Sequence, residues 1–211
     1  HNEAERSAEL IARLEAGEDI ALVSDAGTPL ISDPGFRMVN AAHAAGVRVN
    51  AIPGPCAAIA ALSVAGLATD RFIFEGFLPE RAAARRSRLA ALAAESRTLV
   101  FYEAPHRLAA TLVDMVHAFG AERQAAIARE LTKMHETLYR DTLAGLAAAA
   151  GSDSDMTRGE LVIIVAGAAE RADEAKASSE ALLRVLLGEL PLKQAVDLTV
   201  KATGARRKAL Y

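Results

Sequence analysis

The densest run of chemically useful residues is Ser24 to Gly35, SDAGTPLISDPG. It packs two Ser-Asp pairs, two glycines and two prolines into one loop, more than a plain strand-to-helix connection needs. Glycine lets a backbone approach a ligand closely, and free N–H groups beside a carboxylate can hold a polar one. Several chemistries are excluded. No Gly-Lys-Ser/Thr follows the loop and no GxGxxG occurs, so neither a phosphate loop nor a dinucleotide fingerprint is present. There is no HExxH and the histidines do not cluster, so no metal is expected. Ser24 and Ser32 lack a GxSxG elbow, which removes a hydrolase nucleophile.

Four further segments carry reactive types. Ile52 to Ala58 (IPGPCAA) is a sharp turn running into a helix start, where a polar or anionic group can be received. Cys56 falls in that first turn; either its thiol pKa is lowered there or it fills a small slot. Tyr102 to Arg107 (YEAPHR) sets an acid, an imidazole and a guanidinium at a helix start. Either Glu103 caps that helix beside solvated neighbours, or Glu103 and His106 are acid–base groups. Ala128 to Lys133 (ARELTK) and Arg158 to Glu160 complete the set.

These loops need elements to position them. Apolar runs alternate with amphipathic stretches, the pattern of an α/β protein. Strands are expected at 19–24, 47–52, 71–77, 98–102, 124–129, 136–140 and 160–166. Helices are expected at 3–16, 56–65, 82–94, 105–118, 142–150, 180–187 and 192–203, with another starting at Ala205. One more helix opens with Asp33 as N-cap and Pro34 at its first position, and stops at Gly46. The rhythm changes near Asp70, which divides the chain into an N-terminal α/β domain (1–69) and a second α/β domain (70–167). A polar linker (168–179) and a helical tail (180–211) follow.

Composition agrees with a globular protein: 52% hydrophobic, 24% charged, net charge −3. The single cysteine, Cys56, rules out an internal disulfide and fits a reducing, cytoplasmic compartment. The longest near-apolar stretch, Ala57 to Ala68, falls short of the about 20 residues a spanning helix needs. The sequence opens on His1 without a methionine and stops at Tyr211 within a helical pattern, as a piece of a longer chain would.

In their order, SDAGTPLISDPG, IPGPCAA, FEGFLP (Phe74 to Pro79), LVFYEAPHRL (Leu99 to Leu108), ARELTK and RGELVIIVAG (Arg158 to Gly167) resemble one family. It is the ribosomal RNA small subunit methyltransferase I family, within the tetrapyrrole methylase-like (class III) methyltransferases. The resemblance implies two α/β domains with S-adenosylmethionine (SAM) in the cleft between them. A further first strand would lie ahead of His1. The implied reaction is 2′-O-methylation of a cytidine in 16S ribosomal RNA of the small subunit, by a homodimer. Carried over by motif, Ser24, Asp25, Ala26, Gly27 and Thr28 would meet the cofactor's polar end. Cys56 and Ala57 would follow, and Tyr102, Leu131 and Leu161 would flank the adenosine.

Three features could meet RNA. Arg81, Arg85 and Arg88 recur at helical spacing on one face. Arg107 is the second. The third is the tail, where a helix, a break at Gly204 and the cluster Arg206, Arg207 and Lys208 resemble a helix-turn-helix. Two rival readings are a methyltransferase for a small tetrapyrrole-like molecule and a non-catalytic RNA- or nucleotide-binding module.

Overall fold

The computed structural model describes residues 3–168, 172–205, 207 and 210. The chain separates into two compact units, 1–167 and 168–211. The first is built on a five-stranded sheet. Its strands are β1 (Phe72–Phe77), β2 (Thr98–Glu103), β3 (Gln124–Arg129), β4 (Thr137–Thr142) and β5 (Leu161–Val165), in the order β1-β2-β5-β3-β4. β1 and β2 run parallel; β5 is antiparallel to both β2 and β3, and β4 is antiparallel to β3.

Alternation along β2, β3 and β5 gives the sheet two different faces. Leu99 and Phe101 of β2, Ala125 and Ile127 of β3, and Leu161, Ile163 and Val165 of β5 point into one core. That core is closed by α4 (Ala82–Ala91), α5 (Leu108–Phe119) and α6 (Leu143–Ser152). Val100, Ala126, Ala128, Val162 and Ile164 point the other way and meet α3 (Ala57–Ala65) through Ala58, Ala61, Leu62 and Ala65. Alanines on both partners let this helix lie close to the strands. α3 precedes the expected boundary at Asp70, yet it packs on β2, β3 and β5.

Two expected strands are absent as strands. Residues 19–24 and 47–52 enter no ladder with any described residue. Their apolar runs were sound strand patterns, but a strand exists only through its hydrogen-bonded neighbour. Val23 and Ile52 are instead strongly exposed. They flank α2 (Phe36–Ala44), which follows α1 (Glu3–Glu15). α2 starts after Gly35 rather than at Asp33. Gly35 has φ 129°, and a Cβ there would stand 2.9 Å from Leu22 Cδ2, so only glycine closes this turn. Pro105–Arg107 forms a 3-10 turn ahead of α5.

The second unit pairs α7 (Ala172–Leu187) with α8 (Leu192–Thr203) around Leu183, Ala195 and Val196. α7 begins at Ala172, inside the stretch expected as linker, because ADEAKASSE is rich in good helix formers. Gly204, at φ 71°, ends α8. Most of the helix expected after Ala205 lies outside the described residues, as do Arg206 and Lys208.

An ion cluster ties α4 to α5. The buried Asp114 carboxylate accepts from Arg85 Nε and from Arg86 Nε, both at 2.8 Å. Burial pushes the Asp114 pKa up, but the two guanidinium bonds outweigh it and hold the carboxyl below its usual value. Its contribution to stability is therefore complete above the unfolded-state pKa and is lost as pH falls through the lowered folded value. Asp114→Ala leaves Arg85 buried without its partner and should cost about 3 kcal/mol in urea denaturation at neutral pH. The deficit relative to the natural chain should shrink in strong acid.

Candidate functional site

The register brings one end of every strand together. Phe77 pairs with Tyr102, Glu103 with Leu161, and Arg129 with both Leu161 and Thr137. The loops singled out from the sequence gather at this edge. A cavity lined by Ala68, Arg71, Arg97, Thr98 and Gly167 lies at the opposite end of the sheet and involves none of them.

Thr28 Oγ1 donates to the Pro55 carbonyl at 2.8 Å, joining the first loop to the second. Gly27 is at φ 81°, in the left-handed region that favours glycine, and a Cβ there would make ordinary contact with the Pro55 oxygen at 3.4 Å. Ser24 Oγ accepts from the Ala26 N–H at 3.1 Å and folds the loop's first residues back on themselves. Asp25 is exposed. The far half of the loop is strained, with Leu30 at φ 71° and Ser32 at φ 58°. Ser32 Oγ fills the space over Gly76 of β1, where a Cβ would be 2.9 Å away.

The second loop feeds α3, whose first turn reaches β2. The Ala58 N–H donates to the Tyr102 hydroxyl at 3.2 Å. Burial pushes the Tyr102 phenol above its ordinary pKa. Tyr102 packs with Cys56, Leu67, Phe74 and Leu131 against the apolar cluster under α3, all of them partly buried, and Phe74 stands edge-on to its ring. Cys56 is half-buried. Leu131 is held between two left-handed residues, Glu130 (φ 50°) and Thr132 (φ 64°). The Glu130 carboxylate fixes this turn by accepting from the Glu160 N–H (2.7 Å) and from Lys133 Nζ (3.0 Å). Those bonds hold the carboxyl below its usual range. The residues around Leu131 are thus positioned from Glu160, just ahead of β5, a link between segments distant in sequence. The left-handed backbone of Glu130 and Thr132 left no mark in the residue types.

Other expected site residues are placed differently. Leu161 is 3% exposed and points into the α5–α6 core; its neighbour Val162 faces α3 instead. Alternation along β5 decides this, since a one-residue offset reverses the face. Glu103 is buried, and its oxygens accept from the Ala104 N–H (2.8 Å) and Thr111 Oγ1 (2.6 Å). Arg107 Nε lies 3.2 Å from the same carboxylate. Glu103 is fully occupied by these contacts, whereas His106 is exposed in the 3-10 turn.

The arginines do not form one open basic face. Arg81 is exposed at the head of α4, Arg85 is buried on Asp114, and Arg88 is paired with Glu75. Arg107 is turned inward and donates to the Leu78 carbonyl at 2.7 Å. Arg207 pairs with Asp197 within the second unit. Helical spacing placed these residues correctly along α4, but their acidic partners lie far away in sequence and could not be read from it. Among the described residues no group of three or more His, Cys, Asp or Glu is placed to hold a metal ion. No described helix is long and apolar enough to cross a membrane.

Residues 1–147 match the family model of tetrapyrrole (corrin/porphyrin) methylases, and 173–211 match that of the RsmI C-terminal HTH domain. The whole chain is 56% identical to ribosomal RNA small subunit methyltransferase I of Pseudomonas aeruginosa and covers 76% of it. It is 47% identical to the protein of that name from Escherichia coli O157:H7, covering 74%. The chain belongs to the ribosomal RNA small subunit methyltransferase I family. Among solved structures, the methyltransferase CobJ superposes over 78% of this chain and 71% of its own, with a TM-score of 0.58 at 21% identity. A uroporphyrin-III C-methyltransferase from Thermus thermophilus, complexed with S-adenosyl homocysteine, has a TM-score of 0.53 at 18% identity, over 78% of this chain and 73% of its own. These likenesses give the fold: the tetrapyrrole methylase-like α/β type. The family's methyl donor suits this site. Gly27 lies against Pro55 beside the exposed Asp25, and Cys56, Tyr102 and Leu131 remain partly exposed on the apolar cluster under α3.

Proposed function

We propose that this member of the family transfers a methyl group from SAM to 16S ribosomal RNA in the small subunit, at the 2′-hydroxyl of a cytidine. What supports the methyltransferase reading most is the match of the entire chain to rRNA methyltransferases at up to 56% identity. The hydrogen bonds that join the loops around Thr28, Pro55, Ala58 and Tyr102 at one end of the sheet support a site there.

When bound, SAM supplies an already activated methyl group on its sulfonium. The chain's own residues bind, orient and keep water out. Asp25 and the backbone of 26–28 hold the polar end of the ligand, and Thr28 fixes that loop on Pro55. Tyr102, Cys56 and Leu131 enclose its apolar part. Holding reactants at near-attack distance is worth several kcal/mol of barrier in general. Of the two acid–base candidates, His106 is the one with an exposed side chain, and a ring nitrogen there receives the proton of the ribose hydroxyl. Residues 1–69 and 70–167 form the two lobes of the site in this reading. The second unit docks RNA through its basic residues, with Lys193 and Lys201 exposed on α8. A homodimer and a cytoplasmic location complete the proposal; sedimentation as a single-chain species would exclude the dimer.

The test is transfer of labelled methyl from SAM to isolated small subunits, followed by mapping of the modified nucleotide. Label on a cytidine ribose is expected, and label on the base or none in the RNA would refute the reading. Asp25→Ala should weaken SAM binding by about 1–3 kcal/mol in calorimetry with the melting temperature unchanged. Full affinity would remove Asp25 from the site. Deleting the tail from Gly188 onward should leave SAM affinity intact and reduce methylation of the subunit. Undiminished methylation would make the tail dispensable.

A further inference from the structure

The segment FEGFLP, Phe74 to Pro79, spans the end of β1 and the turn after it. Its geometry is unusual. β1 pairs Phe74 with Val100, but then Gly76 with Phe101 and Phe77 with Tyr102, so Glu75 is an extra residue in the strand. Without this bulge, residues 74 and 77 would face opposite sides of the sheet. With it, both rings face Tyr102. Phe74 stands edge-on at 4.9 Å between centroids and Phe77 at 5.6 Å. Bulges of this kind re-aim a side chain, and they recur beside active sites.

The two phenylalanines differ in what they do. Phe74 is partly buried in the apolar cluster below α3. Phe77 is 56% exposed, so its ring is not used up by the core. Its backbone is held from several directions. Gly76, before it, lies under Ser32. The carbonyls of Leu78 and Pro79, after it, accept from Arg107 at 2.7 and 3.2 Å. The result is a fixed, exposed aromatic face at the edge of the site. It lies next to Tyr102 and is tied to the turn that carries His106. Arg81 is exposed at the head of α4, just beyond.

We propose that Phe77 is the surface on which the base of the target nucleotide stacks. This rests on the rRNA reading above. Sequence-specific RNA recognition mostly targets unstacked bases of loops and bulges, and an aromatic side chain is the usual replacement for the neighbouring base. Arg81 then meets the flanking phosphate, the division of labour common in nucleic-acid recognition. The ring does not take part in bond making; it fixes where the ribose lies.

The experiment compares Phe77→Ala, Phe77→Leu and Phe77→Trp in the full chain, with isolated small subunits and labelled SAM. Stacking on an aromatic corresponds to roughly 5- to 150-fold in binding. Alanine and leucine should raise the KM for the subunit within that range, with SAM affinity and melting temperature unchanged, and tryptophan should restore it to within about threefold. Leucine keeps apolar bulk without a π face, so a leucine variant as good as the natural chain reduces Phe77 to packing and overturns the proposal. So does a parallel loss of SAM affinity, which would place the ring on the cofactor instead, or a failure of tryptophan to rescue. If the natural chain itself transfers nothing to the subunit, the rRNA reading fails and the proposal with it.

Discussion

The close seat of α3 on the sheet sets the geometry of everything at the carboxyl end of β2. Ala58, Ala61 and Ala65 of the helix meet Ala126 and Ala128 of β3 and Val100 of β2. Small side chains on both partners bring the backbones near enough for the Ala58 N–H to reach the Tyr102 hydroxyl. That contact places the Pro53-Gly54-Pro55 turn, and through Thr28 it places the first loop as well. A larger residue in this layer would push the helix outward, and the loops would move with it. Such overpacking costs typically about 1–3 kcal/mol.

Buried charge holds the other side of the site. Glu103 sits at the end of β2, beneath Arg107 and Thr111. Arg107 in turn bonds the carbonyls that follow β1. Two neighbouring loops are thereby locked to one carboxylate. Further along, Asp114 binds Arg85 and Arg86 and locks α4 to α5. Removing one partner of such a pair costs far more than the pair contributes, because the remaining charge stays buried. The arginines of this region serve the fold first, and Arg81 is left facing solvent at the head of α4.

Much of this could be read from the residues. β2, β3 and β5 and helices α3, α5 and α8 follow directly from apolar periodicity, and the loops between them were recognised by their glycines, prolines and charges. Three things were not legible. Residues 19–24 and 47–52 carry strand patterns, but pairing is a property of two segments and neither has a described partner. The inward arginines look the same as solvated ones on a helical wheel, since Asp114 and Glu75 are brought to them only by tertiary folding. The bulge in β1 hides the common facing of Phe74 and Phe77, because three-residue spacing in a regular strand implies opposite faces. Leu161 and Val162 show the same limit: the strand was evident, and which residue faces α3 was not.

The most direct test of the α3 seat is SAM affinity in Ala61→Leu, measured by calorimetry beside thermal melting. Ala61 is fully buried against the strands and is not one of the residues proposed to hold the ligand. If helix position sets the site, the added side chain should lower SAM affinity about tenfold or more while the chain still melts cooperatively. Unchanged affinity in that folded variant would contradict the account, since the loops would then be holding their places without the helix.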